Sequence, residues 1–242
     1  MLLRTFKKFK NAKQLIKDDL LRIYANELIK KNGFWFIDLP RTSSSSVKVF
    51  LYSLYSWPYG KNNVLENEYA VETVYPDHLT VDELVICFGK RNWNKLRKFT
   101  IVRNPYTRIY SMYFYRIKTQ KIHPSISFKD FINCIYDHFS KKTKWDFLSA
   151  EKIWMPQTNF LTHKKNISDN IKIIKYESER NQSIVNFLGI KKENGILLTK
   201  FIQKCSDPNI INNIDKNLDS EVIEKINEIY NNDFNNFNYK KL

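Results

Sequence analysis

Two segments of the chain put anion-binding residue types directly after an apolar run. In the first, Phe34-Trp35-Phe36-Ile37-Asp38-Leu39 leads into Pro40-Arg41-Thr42-Ser43-Ser44-Ser45-Ser46. One guanidinium, five hydroxyls and a series of backbone N–H groups are offered within seven residues. In the second, Phe99-Thr100-Ile101-Val102 leads into Arg103-Asn104-Pro105-Tyr106-Thr107-Arg108-Ile109-Tyr110-Ser111. Arg103 follows the apolar run, and Arg108 and Ser111 stand three apart, on one face of a helix. A charged fork, hydroxyls and free N–H groups are what a phosphate or sulfate group needs. Two such clusters suggest a ligand with two separated anionic groups.

The elements that must position these residues are strand, turn and helix. Phe34 to Leu39 reads as a buried strand of a mostly parallel sheet, ended by Pro40, which cannot donate to a ladder. Val47, Phe50, Leu51 and Leu54 recur at helical spacing, so a helix is expected to start near Ser46. Phe99 to Val102 reads as a second strand, with Arg103 at its carboxyl end, where open α/β sheets bind ligands. Pro105 suits the first position of the helix that follows. Further along, Thr80-Val81-Asp82-Glu83 and Ser127-Phe128-Lys129-Asp130 have the form of capping boxes, predicting helices from near Val81 and from near Phe128. Ile171 to Tyr176 is a third expected strand, Gly189 closes a short helix, and a helix is expected from Asp219 to about Tyr230. An amphipathic helix is expected from about Ala12 to Lys30, and an irregular segment, a candidate substrate loop, from Gly60 to Asp77. Alternating strands and helices imply an α/β domain with a parallel sheet flanked by helices.

Taken together these residues resemble the signatures of sulfotransferases that use 3′-phosphoadenosine 5′-phosphosulfate (PAPS), in particular the Golgi-type carbohydrate branch that includes heparan sulfate 2-O-sulfotransferase-like enzymes. The first segment is similar to the family's 5′-phosphosulfate loop, and Val102 to Ser111 is similar to its 3′-phosphate site. His78-Leu79-Thr80, Trp154-Met155-Pro156-Gln157-Thr158-Asn159-Phe160-Leu161, Ile174-Lys175-Tyr176-Glu177 and the terminal run from Tyr230 to Tyr239 resemble further family segments in the same order. Two positions depart. The family's loop lysine is Arg41 here, as in some other sulfotransferases, and a frequent histidine before Trp154 is Ile153.

The resemblance implies a single P-loop-NTPase-like α/β domain of the sulfotransferase fold over residues 31–242, with residues 1–30 as a helical extension. It implies PAPS as co-substrate, with 3′-phosphoadenosine 5′-phosphate (PAP) as product and a hydroxyl acceptor, on a carbohydrate by analogy with the branch. Arg41, Thr42, Ser43, Ser44, Ser45 and Ser46 would hold the 5′-phosphosulfate; Arg103 and Ser111, supported by Arg108, would hold the 3′-phosphate. Arg41, with a fixed charge, would act electrostatically. His78 is the first candidate for the base, with Glu66, Glu68 and Asp77 as fallbacks; His123, His138 and His163 have no motif support. The chemistry needs no metal, and the sequence offers no metal-binding cluster.

Composition bounds the rest. A chain of 242 residues can bury the core of one α/β domain. The net charge of +15 calls for anionic partners: a nucleotide, an acidic glycan or an anionic membrane surface. Nucleic acid is the usual alternative, but none of the usual nucleic-acid motifs is present, and the Gly-Lys-Ser/Thr ending of an ATPase loop is absent. No apolar run has the length of a membrane span and no signal-peptide core is visible, so the expectation is a cytoplasmic protein, or a catalytic domain cut from a longer one. Cys87, Cys134 and Cys205 lack paired spacing and are expected to be reduced and mostly buried. A second reading keeps the nucleotide fold without catalysis, motivated by Arg41 and Ile153; a third is a basic nucleic-acid-binding module.

Overall fold

A computed structural model describes residues 33–55, 78–141, 151–164, 166–178, 180–191 and 218–242. The helix expected over residues 12–30, the segment 60–77 with Glu66, Glu68 and Asp77, and Cys205 lie outside the described residues. Three parallel strands form the main sheet: β1 (Phe34–Ile37), β2 (Arg97–Val102) and β5 (Ile171–Lys175), in the order β1-β2-β5. Phe36 pairs with Phe99, and Thr100 with Ile173. All four β1 residues and the last five of β2 are buried. That explains the continuous apolar runs, since a parallel strand covered on both faces has no solvent side.

Helices α1 (Ser44–Tyr55), α2 (Val81–Phe88) and α3 (Lys90–Lys95) lie between β1 and β2. Helices α4 (Pro105–Lys118), α5 (Phe128–Lys141) and α6 (Gln157–Leu161) follow β2, and a short antiparallel pair, β3 (Thr162–His163) with β4 (Asn166–Ile167), precedes β5. Helices α7 (Arg180–Leu188), α8 (Ser220–Ile229) and α9 (Asn231–Asn236) complete the described chain. The result is a mixed α/β domain with a parallel sheet flanked by helices. Among the described residues no helix is long and apolar enough to cross a membrane.

The local signals fall where the sequence puts them. Thr80 caps α2 in a reciprocal box with Glu83, Pro105 is the first residue of α4, and Gly189 ends α7 at a φ of +68°. Two boundaries differ. β1 stops at Ile37, before Pro40, and α1 begins at Ser44 rather than near Ser46. Both shifts have one cause. The chain leaves the ladder early to make a loop in which Arg41 (φ +63°) and Ser43 (φ +75°) take left-handed backbone, and Ser43 O then accepts the first helical bond, from Val47 N at 3.1 Å. Cys87 and Cys134 are half-buried rather than buried.

Two apolar clusters hold the domain together. One surrounds the sheet; the other joins α4, α5, α8 and α9 around Tyr110, Phe131, Trp154 and Phe234. A buried carboxylate ties α9 to α6. Asp233, fully buried, accepts from Gln157 N (2.8 Å), Gln157 Nε2 (3.2 Å), Thr158 N (2.7 Å) and Thr158 Oγ1 (2.8 Å). It serves as a side-chain cap for a helix more than seventy residues away in sequence. Asp233→Ala would take the acceptor from Gln157 N, Thr158 N and Thr158 Oγ1, at about 1–3 kcal/mol for each one that stays unsatisfied. The expected loss is about 3–5 kcal/mol of unfolding free energy, read from urea denaturation. A loss below about 1 kcal/mol would show that the carboxylate is dispensable.

Candidate functional site

The two loops meet at the carboxyl ends of β1 and β2. Arg41 is half-buried, and its guanidinium donates to Ser111 Oγ from Nε (3.2 Å) and Nη2 (2.9 Å) while stacking 4.5 Å from the centre of the Tyr115 ring. Arg103, 6% exposed, donates from Nη1 to the Arg41 carbonyl (3.4 Å) and from Nε to Thr107 Oγ1 (3.1 Å). Arg108, 2% exposed, donates to the Pro40 carbonyl (3.1 Å) and the Ile153 carbonyl (3.2 Å). Each sequence-selected arginine thus touches the first loop or its anchor. Ser111 is paired with Arg41, not with Arg103. Thr42 is buried with its hydroxyl donated to the Leu39 carbonyl (3.0 Å), which fixes the turn. Ser44 and Ser46 are buried and Ser43 and Ser45 half-buried, at the start of α1.

Charge at this site is one-sided. Among the described residues, neither Arg103 nor Arg108 has a carboxylate within ion-pairing distance. Burial pulls both guanidinium pKa values down; Tyr176 and Glu177 oppose this for Arg103, and Tyr230 and Asp233 for Arg108. A guanidinium stays charged even so. The start of α1 carries no acidic residue in its first turn, so its N–H groups and dipole add positive potential without a built-in counter-charge. Left-handed backbone at Arg41, Ser43 and His78 (φ +59°) concentrates strain in the same region, a pattern common at ligand sites.

Behind the arginines stands a frame that the sequence motifs contained without a stated role. Gln157 clamps both backbone groups of Arg103: its Oε1 accepts from Arg103 N and its Nε2 donates to Arg103 O, each at 2.8 Å. Asp233 holds Gln157 in turn. Glu177 accepts from Asn104 N (2.8 Å) and from the Tyr239 hydroxyl (2.8 Å). Burial, then the neighbouring Glu177 charge, keeps that phenol protonated far above its usual range. The paired motifs Trp-Met-Pro-Gln and Tyr-x-x-Asp-Phe thus act on one target, the backbone of Arg103. The Ile153 departure is neutral for this frame, because Arg108 uses the carbonyl of residue 153 and not its side chain.

His78 reaches the same end of β1. Its Nδ1 is 3.1 Å from Asp38 Oδ1 and 3.4 Å from the Asp38 carbonyl, and Lys48 Nζ donates to Asp38 Oδ2 at 2.8 Å. Burial alone would push the Asp38 carboxyl up. The charges and hydrogen bonds of His78 and Lys48 outweigh it and hold the carboxyl well below the usual carboxylate range. Asp38 is therefore ionised at neutral pH. Nothing in the sequence pairs Asp38 with His78, because a carboxylate inside an apolar run carries no local signal for a partner forty residues on.

Among the described residues no cluster of His, Cys, Asp and Glu could hold a metal ion. No curated protein and no solved structure matches the chain. A family model described as "Sulfotransferase family" matches residues 28–240, nearly the whole length, and covers both loops, the Gln157 clamp and the Asp233 cap; the chain belongs to the sulfotransferase family.

Proposed function

We propose that this member of a sulfuryl-transferring family uses PAPS as donor and delivers the sulfuryl group to a hydroxyl, on a carbohydrate acceptor, leaving PAP. The observation that carries the reading is the meeting of Arg41, Arg103 and the start of α1 at the carboxyl ends of two parallel strands, in the manner of a P-loop-like cradle. The loop Arg41, Thr42, Ser43, Ser44, Ser45 and Ser46 takes the 5′-phosphosulfate through N–H groups and hydroxyls. Arg103 takes the 3′-phosphate, with Arg108 bracing the loop beneath it and Ser111 orienting Arg41. The preference for a sugar hydroxyl rests on resemblance to the carbohydrate branch and on the +15 charge, which suits an acidic glycan.

In the reaction the acceptor oxygen attacks sulfur in line as the bond from sulfur to the bridging oxygen breaks. The acceptor proton passes to His78, and the electron pair stays on the departing 5′-phosphate oxygen. Positioning and charge neutralisation supply most of the acceleration in such transfers. Asp38, accepting from Nδ1–H, would leave the basic lone pair of His78 on Nε2. Arg41 neutralises the charge growing on the bridging oxygen and cannot give up a proton, so its part is electrostatic.

Calorimetric binding of PAP, with ADP and ATP as controls, tests the reading. Micromolar or tighter PAP binding that ADP does not reproduce is expected. Arg103→Ala should then weaken PAP binding by about tenfold to a hundredfold, the loss of one charged contact. A change within about twofold would remove Arg103 from the 3′-phosphate site.

A further inference from the structure

Arg180 was singled out by no sequence motif. It is the first residue of α7, just past the carboxyl end of β5. Its Nη1 donates to Ser43 Oγ at 3.0 Å, and its Nε to Asn181 Oδ1 at 3.2 Å. Its guanidinium carbon lies 4.3 Å from the centre of the Tyr176 ring. The guanidinium carbon of Arg103 lies 4.4 Å from the centre of the same ring. One aromatic ring thus holds two arginines, and among the described residues neither has a carboxylate within ion-pairing distance. Two like charges on one ring repel, and the Arg180 charge acts against that of Arg103. Such a pair is relieved by an anion that both can reach.

We infer that Arg180 and Arg103 form a two-armed site for one phosphate monoester, which makes Arg180 a specificity-determining residue for nucleotides carrying a 3′-phosphate. The inference rests on the PAPS reading above. The chemistry fits: a phosphate monoester carries about −1.5 to −2 charges at neutral pH and has three acceptor oxygens, enough for two guanidinium forks. Tyr176 sets both arms on a rigid aromatic face, so little side-chain entropy is lost on binding. The bond from Arg180 to Ser43 also links this end of the site to the first loop, so both anionic groups of one nucleotide are felt by connected residues.

The test compares PAP with ADP on the full chain by calorimetry, in wild type, Arg180→Ala and Arg180→Gln. Glutamine removes the guanidinium and its charge but keeps a polar side chain with N–H donors; melting without nucleotide checks that each variant is folded. Both substitutions should weaken PAP by about tenfold or more and ADP by less than about twofold. Parallel weakening of both nucleotides would overturn the inference and leave Arg180 as a brace for Ser43, and unchanged PAP binding would overturn it as well. If Arg180→Ala does not fold, Arg180→Gln decides by the same ratio. Wild type that binds PAP no tighter than ADP would instead defeat the PAPS reading itself, a result that needs no variant to recognise.

Discussion

His78→Ala is expected to lower turnover by about 10²–10⁴-fold, the usual worth of a positioned general base, while PAP binds the variant as it binds wild type. The reason lies in the Asp38 contact. A histidine whose Nδ1 faces an ionised, half-buried carboxylate is held in one orientation. The Asp38 carboxyl stays ionised until the pH falls far below the ordinary carboxylate range, because its pKa is depressed in the folded state. Its contribution to stability is therefore present above about pH 4, the unfolded value, and is lost only on further acidification. An acid limb in the turnover profile would then not come from Asp38. The measurement is the sulfate-transfer rate at saturating PAPS across pH, in both proteins. Turnover of His78→Ala within a few-fold of wild type, with the limb intact, would move the base elsewhere.

Arg41→Ala should cost about 10²–10³-fold in turnover, equivalent to about 3–4 kcal/mol of transition-state stabilisation, the scale seen when one preorganised donor is removed. Its effect on PAP affinity should be much smaller, since the charge it meets grows only as the bridging bond breaks. Arg41→Lys is the informative partner. Lysine restores the charge but not the two-point hold on Ser111 Oγ, so it should recover part of the rate. Equal losses in affinity and turnover for Arg41→Ala would make the residue a ground-state anchor. Wild-type protein that binds PAP tightly but neither transfers sulfate nor slowly hydrolyses PAPS would favour a nucleotide-binding protein without catalysis.

Much of the scaffold was legible because its determinants are local. The Thr80–Glu83 and Ser127–Asp130 boxes, Pro105 at the head of α4 and the stop at Gly189 each depend on residues within one helical turn. The apolar runs at Phe34 and Phe99 marked buried parallel strands because no solvent face interrupts them. The short β3–β4 pair, α3 and α6 escaped because they are too brief for periodicity to register. The left-handed loop also escaped: Arg41 and Ser43 are not residues that demand positive φ, and only the surrounding contacts hold them there.

By itself, the sequence determined the family, the strand–turn–helix form of the two loops and the arginines at their tips. Those features follow from residue type and spacing over a dozen positions. The tertiary structure alone decided which partners those residues meet. Ser111 joins Arg41 across 70 positions, Asp233 reaches Gln157 across 76, and Arg180 reaches Ser43 across 137. Such pairings arise because parallel strands bring distant carboxyl ends side by side, and the crossovers that join them leave no periodic trace in the chain.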